Sequence, residues 1–214
     1  MADLNIDLLE RLCQTPGIAG REDAVRALVR EELTGLVDEF QTDALGNLIG
    51  VRRGNGGPRV MLAAHMDEIG FFVKHIDDKG FLRVQPVGGF DERTLIAQRV
   101  IVHGFDGNAY RGALQPAAKP IHLLDKAEIK PPKLEELFVD VGLPVERVKA
   151  AIEVGDMVTL DRTLEEVGGT VVSKSLDDRV AVYAMIEAMR AMQGATAEVV
   201  AVATVQEEVG LRGA

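Results

Sequence analysis

Three short clusters in the sequence combine residue types suited to metal-assisted chemistry. The first is His65-Met66-Asp67-Glu68-Ile69-Gly70, which follows directly on an apolar run ending at Ala64. Residues two apart on an extended chain point the same way. His65 and Asp67 could therefore act together, with the carboxylate holding the imidazole tautomer that leaves one nitrogen free for a metal ion. The second cluster is Ser175-Leu176-Asp177-Asp178-Arg179. One aspartate at a helix start is ordinarily a cap. Two in series followed by arginine allow one carboxylate to bridge two cations while its neighbour pairs with the guanidinium. The third is Thr204-Val205-Gln206-Glu207-Glu208-Val209-Gly210, at the end of another apolar run. Paired carboxylates at the edge of a core are costly to desolvate without a cation. In a metal site one can ligate while the other takes a proton from water as general base. Taken singly, the clusters also fit a solvated loop, a helix cap and a charged turn. Together they offer the mixed N/O ligand set that zinc, cobalt or manganese accepts.

These clusters lie at the junctions of a recognisable organisation. Leu4, Leu8 and Leu12 recur at helical spacing after Asp3, a candidate cap. A second helix is expected over residues 22–36, with Val25, Leu28, Val29 and Leu33 on one stripe. Strands are expected at 47–52 and 59–64, the second apolar enough to be covered on both faces. From Phe71 the character changes: strand-like runs at 71–75 and 81–84 flank Asp77-Asp78-Lys79-Gly80, a hairpin signal. Further short strands at 99–103, 109–113, 139–141 and 157–160, and one short helix at 144–152, make 70–167 a β-rich insertion. The earlier character then resumes, with a strand at 170–173, a helix at 177–192 stopped by Gly194, and a buried-type strand at 197–205. The fold class expected is α/β, in three segments: 1–69, 70–167 and 168–214. The strands before the first and third clusters are expected to be neighbours in one parallel sheet.

The chain has 214 residues, of which 47% are hydrophobic, which argues against disorder. Its 34 acidic residues outnumber 24 basic ones, for a net charge of −10, so no nucleic-acid partner is expected. A single cysteine, Cys13, excludes an internal disulfide framework and a Cys-built zinc finger, and fits a small buried helix residue. The first seven residues hold two acids and no base, and no apolar run reaches the roughly 18 residues of a membrane span. No secretory signal and no membrane partner are expected, and the location expected is cytoplasmic.

Beyond these readings, the sequence resembles the tetrahedral (TET) aminopeptidases, a family of dinuclear metallopeptidases that includes glutamyl and deblocking aminopeptidases, some once named cellulase M or endoglucanase. The motifs are Asp43-Ala44-Leu45-Gly46-Asn47, Ala64-His65-Met66-Asp67-Glu68-Ile69-Gly70-Phe71, Leu176-Asp177-Asp178-Arg179 and Gln206-Glu207-Glu208-Val209-Gly210-Leu211-Arg212-Gly213-Ala214. Ile121-His122-Leu123-Leu124 and Leu137-Phe138-Val139-Asp140-Val141-Gly142 in the insertion match as well. The resemblance implies a zinc-peptidase-like α/β sandwich interrupted by a dimerisation domain, and two divalent metal ions, zinc or cobalt. It implies His65 on one ion, with Asp67 behind it. It implies Asp177 bridging both ions across a cis Asp177-Asp178 peptide, Glu208 on the second ion and Glu207 as general base. The reaction implied is hydrolysis of the N-terminal peptide bond of short peptides by a metal-bridging hydroxide. The assembly implied is a homo-oligomer, a dimer building to a tetrahedral dodecamer. In that family an Asp and a His beyond the Glu-Glu motif complete the ligand set, whereas this chain stops at Ala214. His75, His103 and His122 lie in the insertion and are not expected to substitute. The chain is therefore expected to be the N-terminal part of a longer enzyme, with the C-terminal part of the catalytic domain missing and catalysis impaired in this piece alone. Two rival readings are a non-catalytic assembly module and, last, a metal-independent glycosidase using a carboxylate pair.

Overall fold

The computed structural model describes residues 4–117, 123, 132–192 and 194–214. The chain divides into two compact units, one of residues up to Glu68 with Thr163–Ala214, the other Ile69–Arg162.

The first unit opens with α1 (Ile6–Gln14), which buries Leu8, Leu9, Leu12 and Cys13. Its cap is Asn5, whose side chain accepts from the Leu8 N–H at 3.2 Å. The expected cap, Asp3, lies outside the described residues, and Leu4 is exposed rather than part of the apolar stripe. Helix α2 (Asp23–Leu33) turns Val25, Leu28, Val29 and Leu33 into the core. It ends before residue 36, because Thr34 is extended. Strand β1 (Glu39–Thr42) has no buried residue, so it carried no alternation to betray it. Strands β2 (Leu48–Arg52) and β3 (Arg59–His65) follow.

The second unit is a closed six-stranded barrel. Its strands are β4 (Gly70–Ile76), β5 (Leu82–Val87), β6 (Arg99–His103), β7 (Ala109–Pro116), β8 (Leu137–Asp140) and β9 (Met157–Leu160), in spatial order β4-β5-β8-β7-β6-β9. Inward residues alternate along the strands: Phe71 and Val73, Leu82 and Val84, Val100 and Val102 are all buried. Closure leaves no sheet edge to cover. The β4–β5 turn is tied by Asp77, whose carboxylate accepts from the N–H groups of Lys79 (2.8 Å) and Phe81 (3.0 Å). Helix α3 (Val145–Ala151) packs Val148 and Ala151 into the same core. Of the quoted Ile121-to-Leu124 motif, Ile121, His122 and Leu124 fall outside the described residues.

The first unit then resumes. Strands β10 (Glu165–Val167) and β11 (Thr170–Val172) pair only with each other, so the junction expected at 167–168 falls inside a hairpin. Helix α4 (Leu176–Ala191) buries Val182, Met185, Ile186 and Met189, and β12 (Glu198–Thr204) enters the sheet. The sheet order is β1-β2-β12-β3, with β12 antiparallel to β2 and parallel to β3. Val199, Ala201 and Ala203 of β12 join the buried side chains of α1, α2 and α4 in one apolar cluster. The expectation that β3 is covered on both faces is corrected. It is one of the two edge strands of the described four-stranded sheet, and Arg59, Val60, Met61 and Ala63 are exposed. Among the described residues, no helix is long and apolar enough to cross a membrane.

Candidate metal centre

The parallel register of β3 and β12 sets His65 opposite Thr204. Both strands therefore end together, and the segments that follow them leave the same end of the sheet. That end is where open α/β sheets gather ligands, because the chain must turn there with unpaired backbone and side chains available. The third contributor is the start of α4. Ser175 precedes it and is tied to α1 by donating from Oγ to the Cys13 carbonyl at 2.8 Å. Asp177 (φ −83°, ψ 108°) and Asp178 (φ −119°, ψ 33°) are not helical, and the peptide between them is cis.

These three segments bring the predicted residues together. His65 Nε2 stands 3.1 Å from Asp177 Oδ1 and 3.8 Å from Glu207 Oε2. One ligand atom each from His65, Asp177 and Glu208 lie within 4.8 Å of one another. An imidazole and two carboxylates converging at that spacing, with Asp177 exposed to solvent, suit a divalent ion with an open coordination position. On the far side of the imidazole, Nδ1 lies 3.1 Å from the Asp67 carbonyl and 3.5 Å from its carboxylate. The backbone carbonyl is thus the nearer partner at Nδ1. The fully buried Asp67 carboxylate instead accepts from the N–H groups of Glu207 and Glu208, each at 3.0 Å.

The charges strain against one another. Burial disfavours the charged His65 ring, but the Asp67 and Asp177 carboxylates outweigh it and hold its pKa up to about 9. Burial pushes the Asp67 carboxyl up, yet His65 and the two amides win and draw it below the usual range. Glu208 is pushed up, first by burial and then by Glu207, Asp177 and Asp67. Asp178 is raised by burial, with Asp177 adding to it. Carboxylates crowded in this way gain most from a cation.

One expectation changes. Arg179 does not pair with Asp178. It is fully buried, donates to the carbonyls of Leu12, Thr15 and Gly17, and faces Glu68 Oε1 at 3.9 Å. Glu68 also ion-pairs with the buried Lys174, so a buried ionic cluster stands behind the site. The sequence also offered no hint of the part played by Glu22. Lying just before α2, it is buried and accepts from the Gln206 N–H at 3.1 Å. Asn47, quoted only within a motif, accepts from the Val205 N–H at 2.9 Å. Of the remaining histidines, His75 is exposed on β4 and His103 Nε2 stands 3.0 Å from Thr159 Oγ1, both on barrel strands. His122 lies outside the described residues.

The fold and site together are an α/β unit whose strand ends gather an imidazole and carboxylates, interrupted in sequence by a closed barrel. Residues 46–214 match the family model described as M42 glutamyl aminopeptidase, and the chain belongs to that family. It is 38% identical over 221 residues to the lysyl aminopeptidase of Pyrococcus furiosus, covering 97% of this chain and 61% of that protein. An aminopeptidase of the archaeon Desulfurococcus kamchatkensis superposes with a TM-score of 0.90 at 46% identity, over 97% of this chain and 57% of the other. The TET1 peptidase of Pyrococcus horikoshii, which can assemble into a tetrahedron or a large octahedral shell, gives 0.86 at 33% identity, over 97% and 63%. The chain spans about 60% of the length of the curated relatives it matches.

Proposed function

We propose that this chain carries the ion-holding and proton-transferring part of a metal-dependent aminopeptidase acting on short peptides. The observation that carries the reading is the convergence of His65, Asp177 and Glu208, with Glu207 3.8 Å from the same imidazole nitrogen. Membership of the M42 glutamyl aminopeptidase family supports it. His65 and Glu208 would each hold one of two divalent ions, zinc or cobalt, and the exposed Asp177 carboxylate would hold both. Bound there, the ions would polarise the scissile carbonyl and acidify water. Glu207 would take the proton from the attacking water and hand it to the leaving amine. Asp67 acts through others: its carbonyl orients His65, and its carboxylate fixes the amides of Glu207 and Glu208. The barrel unit is the candidate for homo-oligomer contacts, a dimer building to a larger shell. The shell-forming relative supports that part of the reading.

The test is hydrolysis of peptide p-nitroanilides with added zinc or cobalt, with and without a chelator. The expected result is slow, chelator-sensitive release of the N-terminal residue, in keeping with impaired catalysis in this piece alone. Glu207→Gln should lower it by about 10²–10⁴-fold while metal content is kept. Absence of both turnover and bound metal would favour the assembly module instead. Glucan cleavage indifferent to chelator would favour the glycosidase.

A further inference from the structure

The segment after β12 is held in an unusual way. Four consecutive backbone N–H groups, from Val205 to Glu208, each donate to a side chain rather than to another backbone group. Val205 donates to Asn47 Oδ1 (2.9 Å), Gln206 to Glu22 Oε1 (3.1 Å), Glu207 to Asp67 Oδ1 (3.0 Å) and Glu208 to Asp67 Oδ2 (3.0 Å). Glu22 and Asn47 are both buried and belong to separate stretches of the chain. Gln206 sits at φ +55°, a left-handed conformation that a side-chain-bearing residue adopts at a cost and keeps only when its surroundings impose it. That single residue sets the direction in which the next two, Glu207 and Glu208, leave the strand.

We propose that Glu22 is a positioning residue for the Glu207–Glu208 pair, acting through the Gln206 amide. The inference rests on the metal-site reading above and adds a residue to it. Burying a carboxylate without a cation is unfavourable unless hydrogen bonds compensate. The Glu22 carboxylate spends its Oε1 on two amides, Gly20 (2.8 Å) and Gln206 (3.1 Å). The Gly20 bond closes a local turn. The Gln206 bond joins the approach to α2 to the loop that bears the proposed base and ligand. It is the means by which a residue far away in sequence fixes where Glu208 meets His65. Supports of this outer kind typically change metal affinity by about 10–100-fold when removed.

The experiment is cobalt binding to the 214-residue chain, followed by visible absorption, for wild type, Glu22→Ala, Glu22→Gln and Glu22→Asp. Glutamine keeps an acceptor oxygen at the same reach, whereas aspartate withdraws it by one methylene. The expected result is weakening of about tenfold or more for alanine and aspartate, an altered cobalt spectrum in both, and recovery toward wild type for glutamine. If the alanine variant fails to fold, the aspartate–glutamine contrast decides. Folded variants that all bind cobalt as tightly as wild type, with the same spectrum, would reduce Glu22 to a turn-closing residue and overturn the inference alone. A wild-type chain that takes up no cobalt would overturn the metal reading and the inference with it.

Discussion

Replacing His65 with alanine is expected to weaken zinc and cobalt binding by on the order of 100-fold, and more if the ion is lost altogether. Four-ligand zinc sites bind with an apparent free energy of about 10–16 kcal/mol, so one ligand accounts for roughly 3 kcal/mol. His65 is the only nitrogen donor in the described cluster, and its partners there are both carboxylates. Its ring nitrogens are addressed on both sides, by Asp177 at 3.1 Å and the Asp67 carbonyl at 3.1 Å, so the imidazole is already oriented before any ion arrives. Losing it removes a pre-set ligand, not a mobile one. Glu207→Gln serves as the internal control. Its carboxylate is proposed as the base, so metal affinity should stay within a few-fold of wild type. Isothermal titration on the two variants checks this, and equal weakening in both would contradict the division of roles.

The second large effect is on stability. Glu68 is only 1% exposed, and it is the carboxylate that faces the buried Lys174 ammonium and the fully buried Arg179 guanidinium. Glu68→Ala would leave two cations in the core without that counter-charge. Breaking a buried pair by deleting one member costs about 3–5 kcal/mol. For a chain of this size that corresponds to a fall in melting temperature of roughly 6–20 °C. Arg179 would keep its three backbone carbonyls, so Lys174 should carry most of the penalty. Combining Glu68→Ala with Lys174→Met should therefore recover part of the loss. The deficit should also depend on pH in a definite direction. Burial already pushes the Lys174 pKa below its ordinary value, and removing Glu68 pushes it further. Below the folded-state pKa the lysine is charged both folded and unfolded, and the full cost is present. As pH rises from there towards the unfolded value, the folded chain sheds its proton first, and the deficit shrinks. Thermal unfolding followed by circular dichroism across the alkaline range checks both the size and the sign.

The three clusters were legible because each is a run of consecutive residues: the first and third end apolar stretches, which mark strand ends, and the second opens a helix. The parallel adjacency expected of the strands that precede the first and third clusters is matched by the register of His65 against Thr204. The alternating barrel strands were readable for a similar reason, since Val100 and Val102 face the core one after the other. What the sequence withheld was contact between distant residues. Nothing around Glu22 indicates that its carboxylate meets an amide 184 positions later. Arg179 next to Asp178 suggested a local ion pair, but its place on α4 turns the guanidinium toward the carbonyls that end α1 and toward Glu68. The apolar run of β3 suggested cover on both faces. Apolarity reports what a strand would bury, not how many neighbours it has, and β3 stands at the edge of its sheet. Strand β1 escaped notice because its burial pattern has no period-two alternation, and its sheet position depends on pairing with β2.

The most direct measurement is anomalous diffraction at the zinc or cobalt edge from crystals of this chain grown with the metal. The account predicts one peak beside His65 Nε2 and a second beside the Glu208 carboxylate, both against the Asp177 carboxylate, at ligand distances of about 2.0–2.2 Å, with the Glu207 carboxylate beside them. A metal peak elsewhere in the molecule, with these three side chains free of it, would contradict the account.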